Sequence, residues 1–207
     1  MALPEPVQPR GPWRGRVVSA GETPASTANI ANIITVVRIL MAPVFVILLL
    51  DDAGRLGPLR YVAAILFVVA IVTDSLDGFL ARRQNLVTDF GKIVDPIADK
   101  VLVGGALVSL SLLGELWWWV TIVILIREFG ITIFRFIVIR RSVIPAVASG
   151  KLKTVFQAVA ISLFLFPLWK FLGGWVHWVN WAVMGIAFVL TVVSGIDFVI
   201  KYVRANR

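Results

Sequence analysis

The stretch Thr73–Lys100, "TDSLDGFLARRQNLVTDFGKIVDPIADK", carries five carboxylates between two runs apolar enough to cross a bilayer. Charge is expensive there, so so many acids at the edge of oil call for a physical reason. The rest of the chain sharpens the contrast. Of 207 residues 59% are hydrophobic and 15% charged, and the mean hydropathy is +0.91. A soluble domain of this size cannot bury that much apolar surface, so the composition points to an all-α integral membrane protein. Cysteine is absent, which removes disulfides, thiolate metal sites and cysteine nucleophiles. The net charge of +8 reads as basic loops on anionic lipid, with no nucleic acid partner.

Outward from the acidic stretch, six runs reach the roughly 20 apolar residues that a spanning helix needs: 32–50, 59–80, 92–113, 117–139, 152–172 and 176–200. Turn signals separate them, among them "DDAGRLGP", "LGEL", "RRSVIPAVASGK" and "LGG". No internal repeat of the transporter kind is visible. Residues 1–28, rich in Pro, Gly, Ser, Thr and Ala, read as a disordered cytosolic tail, and 29–207 as one membrane domain. The tail has arginines but no apolar core, so no secretory signal is expected at the start.

Lysine and arginine assign the sides. Arg82, Arg83, Lys92, Arg140, Arg141, Lys151, Lys153, Lys201, Arg204 and Arg207 fall on one side, against Arg55 and Lys170 on the other. The positive-inside rule then makes both termini cytosolic, which six transmembrane helices satisfy. Trp117, Trp118, Trp119, Trp175 and Trp178 fall at the outer interface, as does His177, the sole histidine.

In this topology the acidic stretch is the cytosolic end of span two, a turn, and the start of span three. Residues four apart share a helix face. Asp74, Gly78 and Arg82 form one stripe, with Asp77 and Ala81 beside it; Gly91, Asp95 and Asp99 repeat the spacing across the turn. Helices joined by a short turn pack as antiparallel neighbours, so carboxylates from both can converge. Together and unpaired they would repel and neutralise, whereas one or two divalent cations would hold them ionised. Oxygen-only ligands suit Mg²⁺ or Mn²⁺, and two such ions serve phosphoryl chemistry. Arg82 adds a planar fork for phosphate. The plain alternative is that these aspartates are solvated loop charges or salt-bridge partners. Pro96 leaves two starts for span three: a cap or kink at Asp95, or an N-cap at Thr88 that keeps Gly91 to Asp99 on one face.

Written D-x2-D-G-x2-A-R-x8-G-x3-D-x3-D, the residues Asp74, Asp77, Gly78, Ala81, Arg82, Gly91, Asp95 and Asp99 resemble the signature of the CDP-alcohol phosphotransferases, with every position matched. The segments "NIITVVR" (Asn32, Thr35, Arg38), "VTDFGKIVDPIADK", "IREFGITIFR" and "SGKLKTVFQAVAI" are most similar to its phosphatidylglycerophosphate synthase branch, notably the actinobacterial form, over residues 29–200. The resemblance implies a six-span homodimeric enzyme of the bacterial cytoplasmic (inner) membrane, with its active site facing the cytosol. It implies a bound metal pair, transfer of a phosphatidyl group from CDP-diacylglycerol to glycerol 3-phosphate, and release of CMP. Asp74, Asp77 and Asp95 would hold the metals with Asp99 in reach of one, and Asp99 would be the catalytic base. Asp74, Asp77, Gly78, Ala81, Arg82, Gly91 and Thr35 would contact the cytidine diphosphate.

A phosphorylated acceptor needs a basic pocket of its own. Arg127 and Arg135 are eight apart on one face of span four, and Arg127 lies about 15 Å into it. An ionised group that deep faces a cavity or a partner. Lys151 and Lys153 approach from the cytosolic side, and the four together could hold the acceptor's phosphate. A simple pairing of Arg127 with a nearby acid stays open, and Asp197 has no assigned role. Gly104, Gly105 and Gly195 would let helices approach closely. Two other readings remain: the same chemistry on inositol phosphate or phosphatidylglycerol, and a divalent-cation carrier.

Overall fold

The computed structural model describes the backbone over residues 25–84, 89–138 and 148–205, and side chains over 36–75, 97–134 and 152–204. All regular structure among these residues is helical: α1 (Ala25–Asp51), α2 (Pro58–Gln84), α3 (Asp89–Leu112), α4 (Trp118–Val138), α5 (Ala148–Leu165), α6 (Trp169–Leu172) and α7 (Val176–Ala205). The expected spans thus appear as six long helices, with two departures. The boundary drawn at residue 28 falls inside α1, which already runs from Ala25. The fifth run does not continue to 172: α5 stops at Leu165, and the one-turn α6 follows separately. Hydropathy alone bridges that break, but Pro167 lacks the N–H that would continue the ladder.

Turn chemistry explains the ends. After α1, Gly54 takes φ 74°, a conformation glycine adopts without penalty. The Asp52 carboxylate then accepts hydrogen bonds from the backbone N–H groups of Leu56 (2.9 Å) and Gly57 (2.8 Å). Pro58 opens α2, where a missing N–H costs nothing.

In the bundle α1 packs on α2 and α3, α5 on α7, and α4 bridges α3 and α7. Small residues bring the backbones together: Ala42, Ala63, Ala64, Ala106, Ala160 and Ala187 are all buried. A Cβ on Gly105 would come within 2.9 Å of Val46 Cγ2, and one on Gly104 within 3.3 Å of Leu125 Cδ2. The close approach read from these glycines is therefore present.

The surface is inverted relative to a water-soluble protein. Leu40, Ile47, Ile65, Ile126, Ile133, Val155 and Val189 are each more than half exposed, while Arg38, Arg60, Glu128 and Lys153 are buried. Apolar outside and charged inside is the pattern of a protein solvated by lipid. Among the described residues, Pro58–Ser75 and Val176–Arg204 are long and apolar enough to cross a membrane. At the end carrying the tryptophans, Trp117 lies 4.4 Å from Trp181 between ring centroids, and His177 lies 4.6 Å from Trp169. The histidine is thus packed on a tryptophan ring, away from the acidic stretch.

Arg60, absent from the sequence reading, ties this end together. Fully buried at the start of α2, it forks onto both carboxylate oxygens of Glu115 in the α3–α4 turn, with Nη1–Oε1 at 2.5 Å. It also donates to the carbonyls of Phe164 and Leu165, each at 2.9 Å, which α5 leaves open at its C-terminus. Arg60→Ala strands an acid and two carbonyls. We expect it to cost about 3 kcal/mol, the low end for a broken buried pair because Glu115 keeps some access to solvent. A thermal melt in detergent reads the loss, and an unchanged midpoint would remove Arg60 from this role.

Candidate active site

One unbroken helix, α2, carries Asp74, Asp77, Gly78, Ala81 and Arg82, and α3 carries Gly91, Asp95 and Asp99. The spacings read as helical therefore fall on helices. Because α3 runs continuously from Asp89 through Pro96, Gly91 to Asp99 keep one register, as the start near Thr88 would give; Thr88 itself lies outside the described residues. So do the side chains of Thr35, Asp77, Ala81, Arg82, Asp95, Arg135 and Lys151, and the surroundings of Gly78 and Gly91.

The described members meet in one cavity of about 330 Å³ at the end of the bundle where α2 finishes and α3 begins. Asp74, Asp99, Arg127 and Lys153 all line it, together with Arg38, Lys100, Glu128 and Gln157. Asp74 stays 40% exposed while Arg38, reaching from α1, sets Nη1 2.5 Å from its Oδ1. This ion pair ties α1 to α2 at the wall of the cavity. Among the described residues no three carboxylates or histidines cluster; Asp74 and Asp99 are the two of the four expected acids whose side chains are described. Both line the cavity and offer oxygen donors alone, the donor type that a hard divalent cation takes.

The same cavity holds a cluster of cations that turns on Glu128. Its carboxylate receives Lys100 Nζ from α3 (3.0 Å), Arg127 Nη1 beside it on α4 (3.1 Å), and Lys153 Nζ from α5. Arg127 thus both lines the cavity and pairs with an acid. Its Nη2 donates to Ser194 Oγ on α7 (2.7 Å), while its buried Nε has no hydrogen-bond partner among the described residues. Gly195 makes room for this side chain, since a Cβ there would stand 3.2 Å from Arg127 Cγ. Asp197 pairs instead with Lys201 one turn along α7 at 2.8 Å, away from these bases.

Over the whole lining, four cations (Arg38, Lys100, Arg127 and Lys153) stand against three carboxylates (Asp74, Asp99 and Glu128). The three cations gathered on Glu128 offer charged donors of the kind that a phosphate monoester takes. Sequence reasoning placed Arg127 and Lys153 here but missed Lys100, the role of Glu128 and the pairing of Arg38 with Asp74. Lys100 follows Asp99 directly, so a signal was present. Little in the local sequence marks Glu128, because two of its three partners stand on other helices.

Comparison with known proteins agrees with this arrangement. A family model described as CDP-alcohol phosphatidyltransferase matches residues 28–193. The chain is 50% identical over 180 residues to a probable phosphatidylglycerophosphate synthase of Mycobacterium tuberculosis, covering 87% of this chain and 84% of that one. It is 43% identical over 147 residues to the CDP-diacylglycerol–glycerol-3-phosphate 3-phosphatidyltransferase of Bacillus subtilis, covering 66% and 76%. With the enzyme of the same name from Shigella flexneri the identity is 37% over 187 residues, covering 86% and 95%. A match across most of the chain, on the segment whose acids and cations line the cavity, makes this protein a member of the CDP-alcohol phosphatidyltransferase family.

Proposed function

We propose that this chain transfers the phosphatidyl group of CDP-diacylglycerol to glycerol 3-phosphate, giving phosphatidylglycerol phosphate and CMP. The observation that carries the reading is one cavity lined both by carboxylates, Asp74 and Asp99, and by the cations Lys100, Arg127 and Lys153. The names of the relatives support the same donor and acceptor. In this reading six spans cross the bacterial inner membrane with both termini and the cavity on the cytosolic side, and the enzyme works as a homodimer.

Asp74, Asp77 and Asp95 would hold two divalent ions, Mg²⁺ or Mn²⁺, with Asp99 in reach of one; when bound, the ions supply positive charge for the donor's diphosphate and the departing CMP. Gly78, Ala81 and Gly91 leave room for the nucleotide, with Arg82 and Thr35 as further contacts. Lys100, Arg127 and Lys153, joined by Arg135 and Lys151, hold the acceptor's phosphate and so fix its free primary hydroxyl toward Asp99. Asp99 takes the hydroxyl proton as the oxygen attacks the β-phosphorus. The new P–O bond forms while the bond from that phosphorus to the CMP oxygen breaks, and CMP leaves with the electron pair. No covalent enzyme intermediate is required.

Purified enzyme given CDP-diacylglycerol and each alcohol in turn should release CMP with glycerol 3-phosphate. Release only with inositol phosphate or phosphatidylglycerol would reassign the acceptor. Asp99→Asn should keep donor binding and lose at least about a hundredfold in turnover, the usual scale for a positioned base; a rate near that of the unaltered enzyme would take Asp99 out of the role. Glu128→Gln removes the counter-charge of three cations. We expect a lower melting temperature without ligand and a larger rise on adding glycerol 3-phosphate than the unaltered protein shows. Equal rises in both would separate Glu128 from the phosphate site.

A further inference from the structure

Gln157 lines the cavity with Asp99 and Lys153, yet it is neither acid nor cation. It is 3% exposed, and its amide Nε2 makes no hydrogen bond among the described residues. Buried polar groups are nearly always paired, so an orphan donor on a cavity wall marks a place for a ligand acceptor.

Register says which part of a ligand would meet it. Lys153 and Gln157 are one turn apart on α5, so they share a face, with the amide deeper in the bundle. Asp99 stands ten residues after α3 begins at Asp89, and Gln157 nine after α5 begins at Ala148. Both helices start at the cavity end, so Gln157 stands near the depth of the Asp99 carboxylate, about one turn past the lysine that meets the phosphate. An acceptor with its phosphate on Lys153 and its attacking hydroxyl at Asp99 brings the carbon between them past this amide.

We propose that Gln157 is a specificity-determining residue whose Nε2 donates a hydrogen bond to the secondary hydroxyl of the acceptor, so that the site reads the middle carbon of a three-carbon phosphate. This rests on glycerol 3-phosphate being the acceptor. A site built to bond a hydroxyl rejects the analogue that lacks it, because the buried donor is then left unpaired.

The test compares glycerol 3-phosphate with 3-hydroxypropyl phosphate, which keeps the phosphate and the attacking hydroxyl and lacks the secondary one. Measured as CMP release, kcat/KM of the unaltered enzyme should favour glycerol 3-phosphate by about tenfold or more. Gln157→Met, similar in volume and without the donor, should bring the ratio to within about threefold of one, with little change on 3-hydroxypropyl phosphate. Equal use of the two by the unaltered enzyme overturns the proposal whatever the variant does. A variant that loses equally on both, or loses only in KM for CDP-diacylglycerol, overturns it also and makes Gln157 a structural or donor-side residue. If neither phosphate releases CMP while another alcohol does, the acceptor assignment fails, and this proposal with it.

Discussion

A single carboxylate, Glu128, makes the cationic cluster of the cavity possible. Three cations brought together in a buried space would repel one another and drive the helices apart. Glu128 accepts all three, and because Lys100, Arg127 and Lys153 stand on α3, α4 and α5, the same contacts fasten three helices at this end. The same three cations offer charged donors to an anion. In the proposed reading, structure and binding draw on the same group.

The opposite end is held by the same kind of device with the signs exchanged. There one cation, Arg60, collects an acid from the α3–α4 turn and two carbonyls from the end of α5. Between the two polar clusters lies an apolar layer, with Phe45 and Phe67 in ring contact at 5.5 Å and Leu102, Leu107 and Leu110 buried. Dispersion among these side chains has no hydrophobic drive behind it in lipid, so close backbone contact at residues such as Gly105 must supply the packing. Polar ends set which helices meet, and the small-residue middle sets how closely.

Much of this was legible because helical period and membrane length are properties of local sequence. The D-x2-D and D-x3-D spacings, the long apolar runs and the glycine contacts all depend on residues near one another in the chain. Ion pairs do not. Glu128 and Lys153 are far apart in sequence, as are Arg60 and its carbonyl partners on α5, and hydropathy treats each as a solitary cost. The missed end of α5 has a similar origin: averaging over an apolar window smooths across Leu165, where the open carbonyls find a side chain from another helix. Gln157 sat within a segment whose resemblance was noted, but only burial and an unpaired nitrogen distinguish it from an ordinary polar residue on a helix.

Helix α3 is the seam of the proposed chemistry. Asp99 and Lys100 are consecutive, about 100° apart around its axis, and both line the cavity, so one helix presents an acid and a cation to it, the cation paired with Glu128 of α4. A reaction joining a diphosphate to a phosphorylated alcohol brings two anions together, and their repulsion opposes the step. Separate counter-charges for each, mounted on adjoining residues of a rigid helix, hold the reactants at a fixed separation with that repulsion already offset. In the proposed reaction, exchanging the two residues would set each charge where the other reactant lies. The adjacency of Asp99 and Lys100 is thus a requirement of the proposed reaction as much as of the packing.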